Sequence, residues 1–135
     1  MSHVAHRKII IAAFDAVWGS TTTVAYDNVS FIPPVGTTAW VRLTIQFMDG
    51  DIASLGPIGD RIFRRSGYIT ADIFTESGTG AKSNDDYCDT ILSIYEGKTL
   101  DGLVFIQNAH ISTIGNYDKW FHQRVFCRFE FDEIR

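Results

Sequence analysis

The sequence predicts an α+β fold: a mostly antiparallel β-sheet with two helices packed on one face and a long protruding hairpin loop. Three observations lead there. Within Trp40 to Phe74, Val41, Leu43, Ile45 and Phe47 alternate with Trp40, Arg42, Thr44 and Gln46, and Ile69, Ala71 and Ile73 alternate with Tyr68, Thr70, Asp72 and Phe74. Side chains on a strand point to opposite faces with period two, so each run has one apolar face, and together they read as the arms of an antiparallel hairpin. Near the C-terminal end, Phe121, Gln123, Val125, Cys127, Phe129 and Phe131 alternate in the same way with His122, Arg124, Phe126, Arg128 and Glu130. Finally, Ile10, Phe14, Val17 and Trp18, and later Cys88, Ile91, Leu92 and Tyr95, recur at helical spacing. Elements that are apolar on one side bury those sides against each other, which places both helices on the same face of the sheet.

In chain order, Ser2 is read as the cap of a helix running to about Trp18, with Gly19 as its left-handed stop. Val24-Ala-Tyr is a short strand. Phe31-Ile-Pro-Pro-Val-Gly is an extended segment, because proline removes a ladder donor and keeps the residue before it out of helix. The connection between the hairpin arms, Met48 to Ser66, carries Asp49, Asp51, Asp60, Arg61, Arg64 and Arg65 with glycines at 50, 56 and 59, and is longer than common hairpin loops. Glu76-Ser-Gly-Thr-Gly-Ala is a turn. The second helix, ending at Gly97, starts at either Thr79 or Ser83, the latter resembling a capping box with Asp86. Leu103 to Ile106 is strand-like, a kink falls near Asn108, Asn116-Tyr-Asp is a turn, and the last strand spans Trp120 to Phe131.

The chain of 135 residues is 45% hydrophobic, enough for one domain, residues 1–135, to build a core without metals or disulfides. Its net charge is −4 and its basic residues are dispersed, which argues against duplex nucleic-acid binding, since counterion release from phosphates needs clustered Lys and Arg. No apolar run approaches the roughly 20 residues that span a bilayer, and no signal-peptide pattern opens the chain. The expectation is residence in the cytoplasm of the producing cell, with no membrane partner. Cys88 and Cys127 both fall on apolar faces and are read as buried thiols in a reducing compartment.

No catalytic constellation, metal site or cofactor site emerges from the spacing. Ser77-Gly-Thr-Gly-Ala-Lys-Ser83 sits between a strand and a helix as a phosphate-binding loop would, but Ala81 stands where glycine should precede the lysine, and Thr75 where an earlier glycine belongs. His3, His6, His110 and His122 lack the spacing of a metal site, and His3 and His6 are placed on a solvated helix face. Cys88 lacks a basic sequence neighbour that would lower its pKa. Asp85 and Asp86 suit a helix N-terminus, where carboxylates oppose the positive dipole end. The second face of the sheet mixes Trp40, Tyr68, Phe74, Trp120 and Phe126 with Arg42, Asp72, Arg124, Arg128 and Glu130. Such aromatic and arginine-rich composition fits an association interface, the alternative being that loops cover it.

Several strings in order, Thr23-Val-Ala-Tyr-Asp-Asn-Val-Ser-Phe-Ile-Pro-Pro-Val-Gly, Trp40-Val-Arg-Leu-Thr, Ala53-Ser-Leu-Gly, Arg64-Arg-Ser-Gly, Gly78-Thr-Gly, Tyr95-Glu-Gly-Lys-Thr-Leu and Tyr117-Asp-Lys-Trp-Phe, resemble a family of small phage proteins grouped with the lambda-type tail terminators. The resemblance spans nearly the whole chain. It implies a non-enzymatic virion assembly protein without cofactors, forming a ring, six-fold in the relatives, on the head-proximal end of the tail tube. Such a ring ends tube polymerisation and offers a surface for joining the head. The implied partners are other copies of the chain, the tail tube protein and a head-completion or connector protein, with no specific nucleic acid. The implied location is the virion tail, after residence in the host cytoplasm. Combined with the composition of the second sheet face, the resemblance nominates an assembly interface of Asp49, Asp51, Arg61, Arg64 and Arg65 from the hairpin connection and Trp40, Arg42, Tyr68, Phe74, Arg124, Phe126 and Arg128 from the sheet. Alternatives are another head-to-tail joining protein or, in a different class, a small nucleotide- or ligand-binding domain using the Gly78 to Ser83 turn.

Overall fold

The computed structural model describes residues 3–19, 21–32 and 38–135. The expected Ser2 cap and the Pro33 to Gly36 part of the extended segment lie outside the described residues. The elements run α1 (His3–Trp18), β1 (Thr23–Ala25), β2 (Trp40–Ile52), β3 (Ile62–Glu76), α2 (Lys82–Tyr95), β4 (Thr99–Leu100), β5 (Val104–Tyr117) and β6 (Trp120–Ile134). They form one six-stranded sheet in the order β1-β2-β3-β6-β5-β4. Among the described residues only β1 against β2 is parallel, and every other neighbour is antiparallel. The fold is therefore α+β, mostly antiparallel, with both helices on one face.

That face carries the core. Val41, Leu43 and Ile45 of β2, Ile69, Ala71 and Ile73 of β3, and Val125, Cys127, Phe129 and Phe131 of β6 meet Ile10, Phe14 and Trp18 of α1 and Cys88, Ile91, Ile94 and Tyr95 of α2. The strand facing follows the period-two alternation. The helix facing differs in detail: the buried stripe of α1 is His6, Ile10, Phe14 and Trp18, a strict i, i+4 row, while Val17 faces water. His6 is thus a core residue rather than part of a solvated face, its ring stacked on Phe131 with centroids 3.8 Å apart. Gly19 closes α1 at φ +53°, its N–H donating to the Asp15 carbonyl at 3.0 Å.

Helix α2 starts one residue after Ala81, which caps without a side-chain hydrogen bond, so neither Thr79 nor Ser83 is the cap. Its first turn is fixed instead by Asn84, fully buried, whose Nδ2 lies 3.2 Å from the Ile73 carbonyl, 3.0 Å from Thr75 Oγ1 and 3.2 Å from the Phe121 carbonyl. One amide thereby ties the helix to both central strands. On the same helix Ile94 is buried and Leu92 only half-buried.

The central hairpin is longer than its apolar pattern. β2 continues to Ile52 and β3 begins at Ile62, with a bulge between Phe47 and Gly50, so the connection narrows from Met48–Ser66 to residues 53–61. Arg64 and Arg65 consequently lie on β3 and not in the loop. The strands continue through charged sequence because the charges match across the ladder: Arg64 stands between Asp51 on β2 and Asp132 on β6. β6 likewise runs three residues past Phe131. The kink expected near Asn108 is a register shift between Ile106 and Asn108, and a second shift separates Thr113 from Gly115.

Candidate interaction surface

The sheet face opposite the helices divides into three parts. At one end, Phe31, Trp40, Phe74 and His122 form a continuous aromatic stack with centroid separations of 5.1, 4.1 and 4.4 Å, and Trp120 meets Trp40 edge-on at 6.3 Å. Phe31, Trp40, Phe74 and Trp120, with Ala25, make a second, smaller core, in which Trp40 is only 5% exposed. Here the loop-cover alternative holds: the segment after β1 lies over the face, and Trp40 and Phe74 are occupied within the single chain.

The stack ends on an ion-paired carboxylate. Asp72, buried on β3, has Oδ1 2.8 Å from His122 Nε2 and accepts from Arg124 Nε at 2.7 Å, both from β6. Burial opposes its ionisation, but hydrogen bonds and charge from His122 and Arg124 outweigh that, holding its carboxyl below the ordinary range. Arg42 lies over Trp40 at 5.5 Å with its flank exposed.

The middle of the face is open. Tyr68 and Phe126 pack with centroids 4.5 Å apart, His110 lies 5.1 Å beyond Phe126, and Arg128 reaches over Tyr68 while donating to Gln107 at 2.8 Å. Tyr68, Arg124, Phe126 and Arg128 are all half-buried, a mixed apolar and cationic surface without a covering element among the described residues.

The third part is the far end of the hairpin. Arg64 is exposed on the outer face and donates to Asp132 at 2.9 and 3.2 Å, with Glu130 at 3.5 Å. Asp49, Asp51, Arg64, Arg128 and Glu130 surround a polar cleft of about 250 Å³. Arg65 points the other way: it meets Glu133, which is 2% exposed, at 3.6 Å, and Arg135 hydrogen-bonds the same carboxylate. Gly50, opposite Arg65 on β2, leaves room for this guanidinium, which a Cβ there would crowd. The two adjacent arginines thus belong to opposite faces, as period two requires.

Beyond them the 53–61 loop is held by its own bonds. Ile62 N–H donates to Ser54 Oγ at 3.0 Å, Arg61 Nε to the Gly56 carbonyl at 2.8 Å, and Asp60 N–H to the Pro57 carbonyl at 3.0 Å. At its tip Leu55 and Ile58 are 97% and 89% exposed. Sequence reasoning singled out the charges of this loop and missed these two residues. A signal was present, because apolar side chains on either side of Gly56-Pro57, with Gly59 following, have no strand or helix periodicity to carry them into a core.

The other chemical candidates resolve into structure. Cys88 lies among Asn84 and Gln123, with Sγ 3.5 and 3.2 Å from their oxygens. Burial, reinforced by Asp85 and Asp89, pushes its thiol up to about 12. Burial does the same to Cys127, also to about 12. In the Gly78 to Ser83 turn, Gly78 and Gly80 have positive φ, Lys82 reaches toward Asp86 at 3.3 Å, and Asp85 occupies the first turn of α2, where its charge competes with an incoming anion. Among the described residues no group of three His, Cys, Asp or Glu side chains could hold a metal ion, and no helix is long and apolar enough to cross a membrane.

The chain matches no protein-family model and no curated protein. Among solved structures it is similar to one at 16% identity with a TM-score of 0.68, over 96% of this chain and 97% of that one. At that identity the likeness carries the fold alone, over essentially the whole length of both chains.

Proposed function

We propose that this chain is a non-enzymatic phage assembly protein that forms a ring on the head-proximal end of the tail tube, ends tube polymerisation and helps join tail to head. The observation that carries the reading is the hairpin tip: two nearly fully exposed aliphatic side chains, Leu55 and Ile58, displayed on an internally bonded loop. Leaving such side chains in water forgoes about 1.5–3 kcal/mol each relative to burial, which an interface recovers. The half-buried Tyr68, Phe126, Arg124 and Arg128 and the charged cleft around Asp49, Asp51 and Arg64 extend the same side of the sheet toward that tip. Apolar anchors with a charged surround suit a contact in which burial supplies affinity and charge supplies register. The ordered run of strings that resembles the tail-terminator family supports the choice of partner: further copies of this chain and the tube end.

The test is electron microscopy of tails assembled with the parent protein, without it, and with Leu55→Ser/Ile58→Ser. The double variant should keep the parent's circular dichroism and melting temperature, because neither side chain touches the core. Its tails should be of uncontrolled length with few joined heads, as in the protein's absence. Tails of normal length from the protein-free sample would overturn the function itself; normal tails from the variant alone would remove the loop from the interface.

A further inference from the structure

The two edges of the sheet are defended unequally. Unpaired strand edges recruit other strands, so exposed ones are usually covered, charged, bulged or plugged. On the β2 side, β1 covers Trp40 to Arg42, and at Ile45 the N–H donates to Asp27 Oδ2 at 2.9 Å while Arg7 Nη2 reaches the carbonyl at 3.4 Å. Beyond lie the bulge at Phe47/Gly50 and the charges of Asp49 and Asp51. On the other side, β4 pairs only with Val104 and Phe105, and the Lys98 carbonyl accepts from Ile106 N–H at 3.0 Å. From Gln107 to Tyr117 no further strand pairs with β5 among the described residues. This stretch contains no Asp, Glu, Lys, Arg or Pro, and Ile111, Ile114 and Tyr117 are exposed.

The ladder fixes which backbone groups that edge offers. Ile45 N–H points out of the sheet, and antiparallel pairs alternate between bonded and non-bonded. Following the register Ile45↔Ile69↔Cys127↔Ala109 makes Ala109 point its N–H and C=O outward at the far edge, and the parallel rows through Val125 and Gln123 do so for Ile111 and Thr113. Ile106, in the same phase opposite Phe129, confirms this by donating outward to Lys98.

We propose that this edge pairs antiparallel with the β5 edge of a second copy, about a two-fold axis at Ile111. That register sets Ile111 against Ile111 and Ala109 against Thr113, so every outward group meets an outward group. The side chains agree: isoleucine meets isoleucine at the axis, His110 meets Ser112, and an uncharged strand brings no like-charge repulsion to its own copy. The β2 edge of another copy would instead arrive plugged at Ile45 and carrying two aspartates. The contact is separate from the outer face and hairpin tip, and it is read on the free protein, without tail tubes.

Sedimentation of the parent over a wide concentration range should show a monomer–dimer equilibrium. Ile111 lies outside the core cluster, so Ile111→Lys, which places two ammonium groups at the axis, should fold normally and remain monomeric. Thr113→Pro removes one outward donor at an edge position that tolerates proline, and should do the same. Ile111→Cys should form an intermolecular disulfide under mild oxidation, faster than the exposed helical control Val17→Cys, while buried Cys88 and Cys127 stay unreactive. A parent that is monomeric throughout overturns the proposal. So do dimers that survive both Ile111→Lys and Thr113→Pro, or a cysteine at 111 that cross-links no faster than one at 17.

Discussion

Arg64 and Arg65 are adjacent in sequence and alike in chemistry, yet truncating them should have very different consequences. Arg65→Ala removes one of two cations from Glu133, a carboxylate that is 2% exposed. Stranding a buried charge costs about 3–5 kcal/mol when its only partner is lost. Arg135 remains on the other oxygen, so roughly half of that, about 2–3 kcal/mol, is expected, including the contact of the guanidinium with the Phe63 ring. For a domain of this size that corresponds to a fall in melting temperature of about 8–12 °C. Arg64→Ala removes an exposed pair with Asp132, of the kind that contributes little, and should leave the melting curve nearly unchanged. Urea denaturation of both variants, with Glu133→Gln and the Arg65→Ala/Glu133→Gln double, completes the cycle: the double should recover part of the loss, because a neutral amide no longer needs the cation. Equal stability of the two arginine variants would refute the facing assigned to β3 beyond Gly67. It follows that Arg64, rather than the pair, is the position at which charge reversal can probe assembly without unfolding the chain.

Asn84→Ala should destabilise the protein by about 2–3 kcal/mol in urea titration, since two strand carbonyls and Thr75 Oγ1 lose their shared donor in a buried site. Asp72 has a folded-state pKa below its unfolded value, so its contribution to stability is complete above about pH 4 and is lost as pH falls through the depressed value; Asp72→Asn should flatten that part of the acid limb. A parent and variant with identical acid limbs would remove the His122–Arg124 pairing from the stability account. Both thiols should resist an aromatic disulfide reagent at pH 8 in the native protein and react fully once it is unfolded, because burial pushes each up to about 12. A thiol that reacts rapidly in the folded state would contradict that packing.

The strand facing was legible because a half-buried strand leaves a period-two record, and Val41 to Phe47, Ile69 to Ile73 and Phe121 to Phe131 all keep it. What the pattern could not show was where a strand continues through charge. From Asp49 to Ile52 and from Ile62 to Ser66 the residues look like loop, yet they ladder, because the compensation for each charge comes from a different strand: Asp132 for Arg64, Glu133 for Arg65. Such pairing is long-range and leaves no local mark. The same holds for Asn84, whose partners lie on two strands 9 to 37 residues away along the chain. The solvated face expected for His6 gives way to the buried row, and its spacing of four from Ile10 and eight from Phe14 is the signal in the sequence that puts it there.

The candidate surface was legible in composition and not in partition. Aromatics and arginines alternate evenly along β2, β3 and β6, so sequence alone treats Trp40 and Phe126 as equivalent positions on one face. They separate only when the chain after β1 returns: Phe31 lands on Trp40, and the resulting cluster buries Trp40 and Trp120 and packs Phe74 against them, while Tyr68, Phe126 and Arg128 keep their edges in water. The outer face is therefore anchored at one end by its own small core and free at the other, and the free end is contiguous with the hairpin that carries Arg64, Leu55 and Ile58. A surface built this way is stiff where it joins the domain and projects its apolar contacts farthest from it. That geometry lets the chain fold completely before it meets a partner, as the role proposed above at the end of a growing tube would require.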